Sequence, residues 1–236
     1  MVSKPLRTRV RPYVNSPDTS YPHLVNRKQI FAATAQERRR IADLLDSLDE
    51  AQLATQSLCV GWDVKTMGSH LVSVLADRGG IRAALLGMRL GGTDRAIDQM
   101  ARRRAHWPAS DIAASLRALA DRQYWRPPPQ APGLLAEVLC HGGDIRIPLG
   151  LPFQPDPHLT AVAMGFLTGP LPLGLVPVGR LRGIRWQATD IDRTWGKGPE
   201  IRGSAADLMM AAVGRSATLD ALDGPGLSLL RQRMTR

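Results

Sequence analysis

The sequence predicts an α+β protein in which a bundle of four helices is followed by a small α/β domain. Apolar residues recur at helical spacing in four segments before Pro148, and two short strand-like runs lie beyond it. With 236 residues, the chain can bury a substantial core in one large domain or two modest ones. We expect a flexible basic tail at residues 1–28, a helical bundle at residues 29–152 and the α/β domain at residues 153–236.

The first two helices are predicted from apolar spacing and from capping residues. Thr34 and Glu37 have the spacing of a capping box, so the first helix is expected to begin at Thr34. The second helix is expected to begin near Asp63 and to end or loosen at the glycines around Gly87. Its apolar face is formed by Val64, Met67, Leu71, Val74 and Leu75.

Two further helices complete the predicted bundle. The third lies within residues 110–123 and has Ser110 as its predicted N-cap. The run RPPPQAP at residues 126–132 separates it from a fourth helix at residues 133–145. Amphipathic helices joined by such breaks favour an antiparallel bundle over a sheet.

The C-terminal region has the pattern of a small α/β domain. GIRWQATD at residues 183–190 and PEIRG at residues 199–203 predict two strands around a turn at residues 190–192. A capping-box sequence, SAAD, begins a predicted helix that ends at Gly214. A last helix is expected from Gly226 to the end of the chain.

The formal net charge of +10 first suggests a nucleic-acid-binding protein. The arginine clusters, however, are small and scattered, at residues 7–11, 38–40 and 102–104. Aromatic residues make up only 5% of the chain, and none alternates with basic residues as a stacking surface requires. A solvated basic surface is therefore the preferred interpretation, and nucleic-acid association through the basic tail is its rival.

We expect a cytoplasmic protein that does not cross a membrane. The basic tail lacks the apolar segment of a secretory signal. The uncharged stretch at residues 159–179 is long enough to span a bilayer, but prolines and glycines interrupt its second half. The two cysteines, Cys59 and Cys140, form no CxxC pair, so a disulfide scaffold is excluded and a reducing compartment is expected.

A candidate metal site lies in the fourth predicted helix, in the sequence AEVLCHGGDIRIPLG. Glu137 and His141 are four residues apart, so both side chains lie on one helix face and can reach one ion. His70, on the apolar face of the second helix, is the best third ligand, and three such ligands leave a coordination position open. The alternatives are a hydrogen-bonded core histidine and a Glu137 that pairs with His141 or an arginine.

The neighbours of this pair have simpler interpretations. Asp144 can orient His141, but pairing with Arg146, or capping of a helix that ends at the Gly-Gly pair, is the preferred role. Cys140 points about 100° away from His141 around the helix and is expected to pack in the core. Cys59 is not expected to be a ligand.

Three segments resemble the mycothiol-dependent maleylpyruvate isomerase family. SLCVGWDVKTMGSHLV at residues 57–72 and EVLCHGGDIRIPLGLP at residues 137–152 are similar to two of its motifs, and the run from ATDIDRTWG to LDGPG resembles its C-terminal domain. The resemblance implies a DinB-like four-helix bundle followed by a small α/β domain related to sterol-carrier folds. It also implies a divalent metal, zinc by preference, held by His70, Glu137 and His141, and mycothiol as the thiol cofactor.

Arg215, in AAVGR, matches the C-terminal arginine of that family. The resemblance implies a catalytic role in which Arg215 holds a substrate carboxylate, and the alternative is a cation that stabilises a helix C-terminus. The expected function is an isomerase or thiol S-transferase that acts on a small electrophile with mycothiol, as a monomer or homodimer. The rival functions are a non-catalytic metal- or ligand-binding protein on the same scaffold and a nucleic-acid-associated protein.

Overall fold

Helices predominate in the computed structural model, which describes residues 25–77, 87, 92–123, 130–170, 172, 175–177 and 179–235. Its helices are α1 (Arg27–Ser47), α2 (Glu50–Leu53), α3 (Val64–Ala76), α4 (Thr93–Ala105), α5 (Ala109–Ala118), α6 (Gln130–Arg146), α7 (Pro157–Leu167), α8 (Ala205–Ala212) and α9 (Gly226–Met234). Its strands are β1 (Arg185–Ala188), β2 (Arg193–Gly196) and β3 (Glu200–Gly203), and a 3-10 helix spans Ser216–Ala221. The predicted α+β class is confirmed.

The four predicted helices correspond to α1, α3, α5 and α6. Helices α1 and α3 both pack against α5 and α6. Their contact faces bury large aliphatic side chains, among them Ile41, Met67, Ile112 and Leu134. The predicted start of the second helix is confirmed, because Asp63 is the N-cap of α3 and its Oδ1 accepts a 2.7 Å hydrogen bond from the Thr66 amide.

Helix α1 begins before the predicted position. Asn26 is its N-cap and forms a complete capping box with Gln29, so α1 begins at Arg27. Thr34 lies inside the helix, where its hydroxyl donates to the Ile30 carbonyl at 2.8 Å. The predicted start at Thr34 is therefore wrong, and the last two residues of the predicted tail are helical. Residues 1–24 of that tail lie outside the described residues.

The predicted N-cap of the third helix is also wrong, and so is the helix stop considered at the Gly-Gly pair. Ser110 does not cap α5, which begins at Ala109 after Pro108 and has no side-chain cap at its N-terminus. Helix α6 continues through Gly142 and Gly143 and ends at Arg146. The glycine pair is therefore not a helix stop, and Asp144 lies inside the last turn of the helix.

Helices α4 and α7 are absent from the sequence prediction. In α4 only Ala96, Met100 and Ala101 are buried. Because most of the other residues in this segment are polar or charged, these three give no clear helical pattern of apolar residues. Helix α7 begins where the Asp156 side chain accepts hydrogen bonds from two backbone amides and a proline occupies the first helical position. Helix α4 packs against α3, and α7 packs against α6.

The three-stranded sheet has the order β2-β1-β3. Strand β1 pairs antiparallel with β2 and parallel with β3. The turn at residues 189–192 leads from β1 into β2, a strand that the sequence did not predict. The two predicted strands are confirmed, as is the predicted helix after them. Ser204 is the N-cap of α8, and its hydroxyl accepts a 3.1 Å hydrogen bond from the Asp207 amide.

The C-terminal elements pack directly onto the helix that carries Glu137 and His141. Helix α6 contacts α7 and α8, and their buried side chains belong to one contiguous core. Gly143 permits this approach, because a Cβ atom there would lie 2.8 Å from Sδ of Met210 and 3.0 Å from Cε1 of Phe153. Helix α8 therefore lies close beside the end of α6.

No helix among the described residues is long and apolar enough to cross a membrane.

Replacing Gly143 should destabilise the junction between α6 and α8. We expect Gly143→Val to lower the free energy of unfolding by about 1–3 kcal/mol, because its side chain overlaps Met210 and Phe153. Gly165→Val is the matched control, since a Cβ on this exposed α7 glycine meets only Nε1 of Trp195, at 3.9 Å. Urea denaturation of both variants measures the difference. Equal stabilities would contradict the close contact.

Candidate metal centre

Helices α3 and α6 bring the three predicted ligands together. Glu137 and His141 lie one turn apart on α6, and His70 approaches them from α3. All three side chains are buried, and each offers a ligand atom within 4.8 Å of those of the other two. The arrangement places two imidazoles and one carboxylate around one point inside the protein.

His70 is held between two aromatic rings. Its ring centroid lies 4.9 Å from that of His141, edge to face, and 4.9 Å from that of Trp62. The Trp62 indole is fixed in turn, because Nε1 donates a 2.8 Å hydrogen bond to Asp98 in α4. Burial and the neighbouring His141 hold the pKa of His70 well below its ordinary value. His70 is therefore neutral at neutral pH, as a metal ligand must be.

His141 is oriented by a carboxylate on the next turn. Its Nδ1 lies 3.0 Å from Oδ2 of Asp144, which leaves Nε2 as the nitrogen available to a metal. Burial opposes protonation of His141, but hydrogen bonds to Asp144 and the Cys59 thiol outweigh burial and raise the pKa of His141 to about 10. A metal ion must therefore displace a proton from His141.

Asp144 is a fully buried carboxylate with two strong partners. It accepts from Nε of Arg215 at 2.6 Å and from Nη2 of Arg215 at 2.9 Å, in addition to its contact with His141. Burial opposes its ionisation, but these hydrogen bonds hold the pKa of Asp144 far below its ordinary value. The expected pairing with Arg146 is wrong, because Arg146 binds Glu37 at 2.9 Å instead. Orientation of His141, the other role considered for Asp144, agrees with the geometry.

Arg215 turns its guanidinium towards Asp144. The residue follows α8, and 20% of its side chain is exposed. Nη2 also donates to Sγ of Cys59 at 2.8 Å, and Nη1 lies 3.3 Å from the Val213 carbonyl oxygen. The Nε–Nη2 edge of the guanidinium therefore binds the Asp144 carboxylate with two hydrogen bonds.

Cys59 is the residue that sequence reasoning missed. Its Sγ lies 3.3 Å from Oδ2 of Asp144, and Cys59, His141 and Asp144 form a second group of possible ligands with atoms within 4.8 Å of one another. The backbone holds this loop against α6, since the Leu58 amide donates to the Asp144 carbonyl at 3.1 Å. Cys140, by contrast, is buried in the core, and burial raises the pKa of its thiol, as expected for a packing residue.

The donors of the first group fit a divalent transition metal. Two imidazoles and a carboxylate are ligands that zinc accepts, and three protein ligands leave a position for an exogenous molecule. The second group is less suited to a metal, because Arg215 already neutralises the Asp144 carboxylate and donates to the Cys59 sulfur. His70, Glu137 and His141 are therefore the candidate metal ligands, and Asp144 supports one of them.

Comparisons with known proteins agree with this arrangement. Residues 34–146 match the family model described as the mycothiol maleylpyruvate isomerase N-terminal domain, a range that contains all three candidate ligands. Among solved structures, the crystal structure of the mycothiol-dependent maleylpyruvate isomerase is similar, with a TM-score of 0.58 and 14% identity over 85% of this chain and 93% of that chain. A histidine-to-alanine mutant of that isomerase is similar at 13% identity, with the same TM-score and coverage. At these identities the likeness shows a shared fold. No curated protein matches the chain significantly.

Metal binding should release a proton from His141. At pH 8 the metal-free centre holds His141 protonated and His70 neutral, so binding of zinc should release about one proton per ion. For the same reason, the apparent zinc affinity should rise with pH until the pH reaches about 10.

Calorimetric titration of zinc in buffers with different ionisation enthalpies measures this proton number. His158→Ala is the control, because His158 is exposed and is not one of the candidate ligands. This variant should release the same number of protons as the wild type. Release of no proton would show that His141 is neutral in the metal-free protein.

Proposed function

Because the chain belongs to the mycothiol-dependent maleylpyruvate isomerase family, we propose that it is a metal-dependent enzyme that uses mycothiol as its thiol cofactor. Its substrate is a small electrophile, and the reaction is an isomerisation or a thiol S-transfer. The observation that carries the proposal is the convergence of His70, Glu137 and His141 in a buried site. We also propose a reducing, cytoplasmic setting, which two free cysteines support.

The three converging side chains would hold the metal, which we propose to be zinc. A bound zinc ion lowers the pKa of a coordinated thiol, so that a nucleophilic thiolate is available at neutral pH. His70 and His141 contribute no charge when they bind, and Glu137 contributes one negative charge. The loaded site would therefore keep a net positive charge, which favours a second anionic ligand such as a thiolate.

The charged residues around the three ligands do not cancel this net positive charge. Asp144 lies beside His141, but its negative charge is neutralised by the guanidinium of Arg215. The Asp144 carboxylate can therefore orient His141 without cancelling the positive charge that the proposed thiolate needs. The aromatic ring of Trp62 covers one side of His70 and limits the access of water to that ligand.

The chain's own cysteines are poor candidates for the nucleophile. Cys140 is buried, and its thiol has a raised pKa, so it remains protonated and inaccessible. Cys59 already contacts Arg215 and Asp144, so its sulfur does not point freely into the candidate site. An exogenous thiol therefore fits the site better than either of these residues, in agreement with the proposed use of mycothiol.

Metal analysis of the purified protein tests the metal site. We expect about one zinc ion per chain in the wild type and less than about one tenth of that in His70→Ala and His141→Ala, because a site with two ligands binds weakly. Glu137→Gln should also lose most of the metal. His158→Ala is the matched control and should keep the wild-type zinc content. Absence of divalent metal from the wild type after incubation with zinc would contradict the proposal.

Calorimetry with mycothiol separates an enzyme from a non-catalytic metal protein. The zinc-loaded protein should bind mycothiol, and the metal-free protein should bind it at least about tenfold more weakly, because the thiolate loses its cation. Equal affinity of both forms for mycothiol would show that the metal takes no part in binding the cofactor, and this would contradict a metal-dependent function. If zinc binds but mycothiol does not, the metal site stands and the mycothiol-dependent activity fails.

A further inference from the structure

The hydrogen bonds around Asp144 form a chain that links the C-terminal part of the protein to the candidate metal centre. Oδ1 of Asp144 accepts from Nε of Arg215 at 2.6 Å. Oδ2 accepts from Nη2 of Arg215 at 2.9 Å and lies 3.0 Å from Nδ1 of His141. None of the Asp144 side chain is exposed, so this carboxylate depends on its protein partners for compensation of its charge.

Arg215 is fixed by the way α8 ends. The Gly214 amide donates to the Ala211 carbonyl, and the Arg215 amide donates to the Met210 carbonyl at 2.9 Å. Gly214 has a φ of 90°, the left-handed conformation that commonly terminates a helix. The same helix packs against Gly143, the neighbour of Asp144, through Met210. The guanidinium is therefore presented to Asp144 by backbone that is hydrogen-bonded to the last turn of α8.

We propose that Arg215 is a positioning residue that controls the metal affinity of the centre. It holds the Asp144 carboxylate in place, and Asp144 holds the His141 ring with Nε2 available to the metal. This inference rests on the proposed metal-dependent function and adds a specific role for the C-terminal segment, which contains none of the three candidate ligands. Arg215 acts through Asp144 and His141 and does not need to contact the substrate.

Three roles for Arg215 predict three different effects on metal affinity. If Arg215 positions His141, its replacement weakens metal binding, because the Asp144 carboxylate is no longer held in place and the imidazole loses its orientation. If Arg215 acts only as a nearby positive charge, its replacement strengthens binding by removing repulsion of the dication. If Arg215 only binds a substrate carboxylate, its replacement leaves metal affinity unchanged.

Zinc affinity measured by competition with a chromophoric chelator distinguishes these roles. We expect Arg215→Gln to weaken zinc binding by about 10- to 100-fold, and Asp144→Asn to weaken it to a similar extent. The double variant should bind zinc about as weakly as either single variant, because both changes break the same chain of hydrogen bonds. Arg215→Lys keeps the positive charge but cannot form the bidentate hydrogen bonds to Asp144, so this variant should also bind zinc more weakly than the wild type.

Arg104→Gln is the matched control. Arg104 binds Asp77 through two hydrogen bonds of 2.8 Å and 3.0 Å, and both side chains are mostly buried. This pair is not bonded to any candidate ligand, so its loss tests the effect of breaking a buried arginine–aspartate pair in general. Arg104→Gln should lower the melting temperature and leave zinc affinity within about twofold of the wild type.

The cobalt-substituted protein supplies a readout that a general loss of stability does not alter. Its visible absorption bands report ligand geometry, and they should shift in Arg215→Lys and Asp144→Asn but stay unchanged in Arg104→Gln. Unchanged or increased zinc affinity in folded Arg215→Lys and Arg215→Gln would overturn the inference and leave the metal site intact. Failure of the wild type to bind zinc would instead overturn the proposed function.

Discussion

The fully buried carboxylate of Asp144 determines how the residues around the candidate metal centre are arranged. Asp144 lies on the last turn of α6, where only a cation or several hydrogen-bond donors can stabilise its charge. Arg215 supplies the cation, and the His141 imidazole shares the same oxygen atom with it. The C-terminal segment must therefore pack against α6 for the His141 side chain to have a defined orientation.

The same interaction explains why several local features occur together. Gly143 in α6 lets Met210 approach closely enough for the end of α8 to present Arg215. Cys59 fills the space beside the guanidinium, and the backbone of its loop is bonded to the Asp144 carbonyl. On the other side of His141, the candidate ligands His70 and Glu137 converge in a buried space where one bound dication would satisfy both histidines and the carboxylate. The supporting pair is thus neutral overall, and the proposed metal retains its charge for a thiol.

The sequence predicted those features that depend on residues close together in the chain. Glu137 and His141 were placed on one helix face by their spacing, and Asp63 marked the start of α3, which brings His70 to the same point. The start of α1 was misplaced because Asn26 and Gln29 carry the same kind of capping signal as Thr34 and Glu37. The contact between Asp144 and Arg215 spans 71 residues, and that between Arg215 and Cys59 spans 156, so no local pattern encodes either. These long-range contacts decide which polar residues support the centre, and they become visible only once the helices are packed.

X-ray absorption spectroscopy of the zinc-loaded, cofactor-free protein tests the central claim most directly, because it identifies the atoms bound to the metal. We predict a shell of nitrogen and oxygen at about 2.0–2.1 Å, with the outer-shell scattering of two imidazoles and without sulfur at about 2.3 Å. A sulfur atom in the first shell would place Cys59 on the metal, and this result would contradict a centre formed by His70, Glu137 and His141.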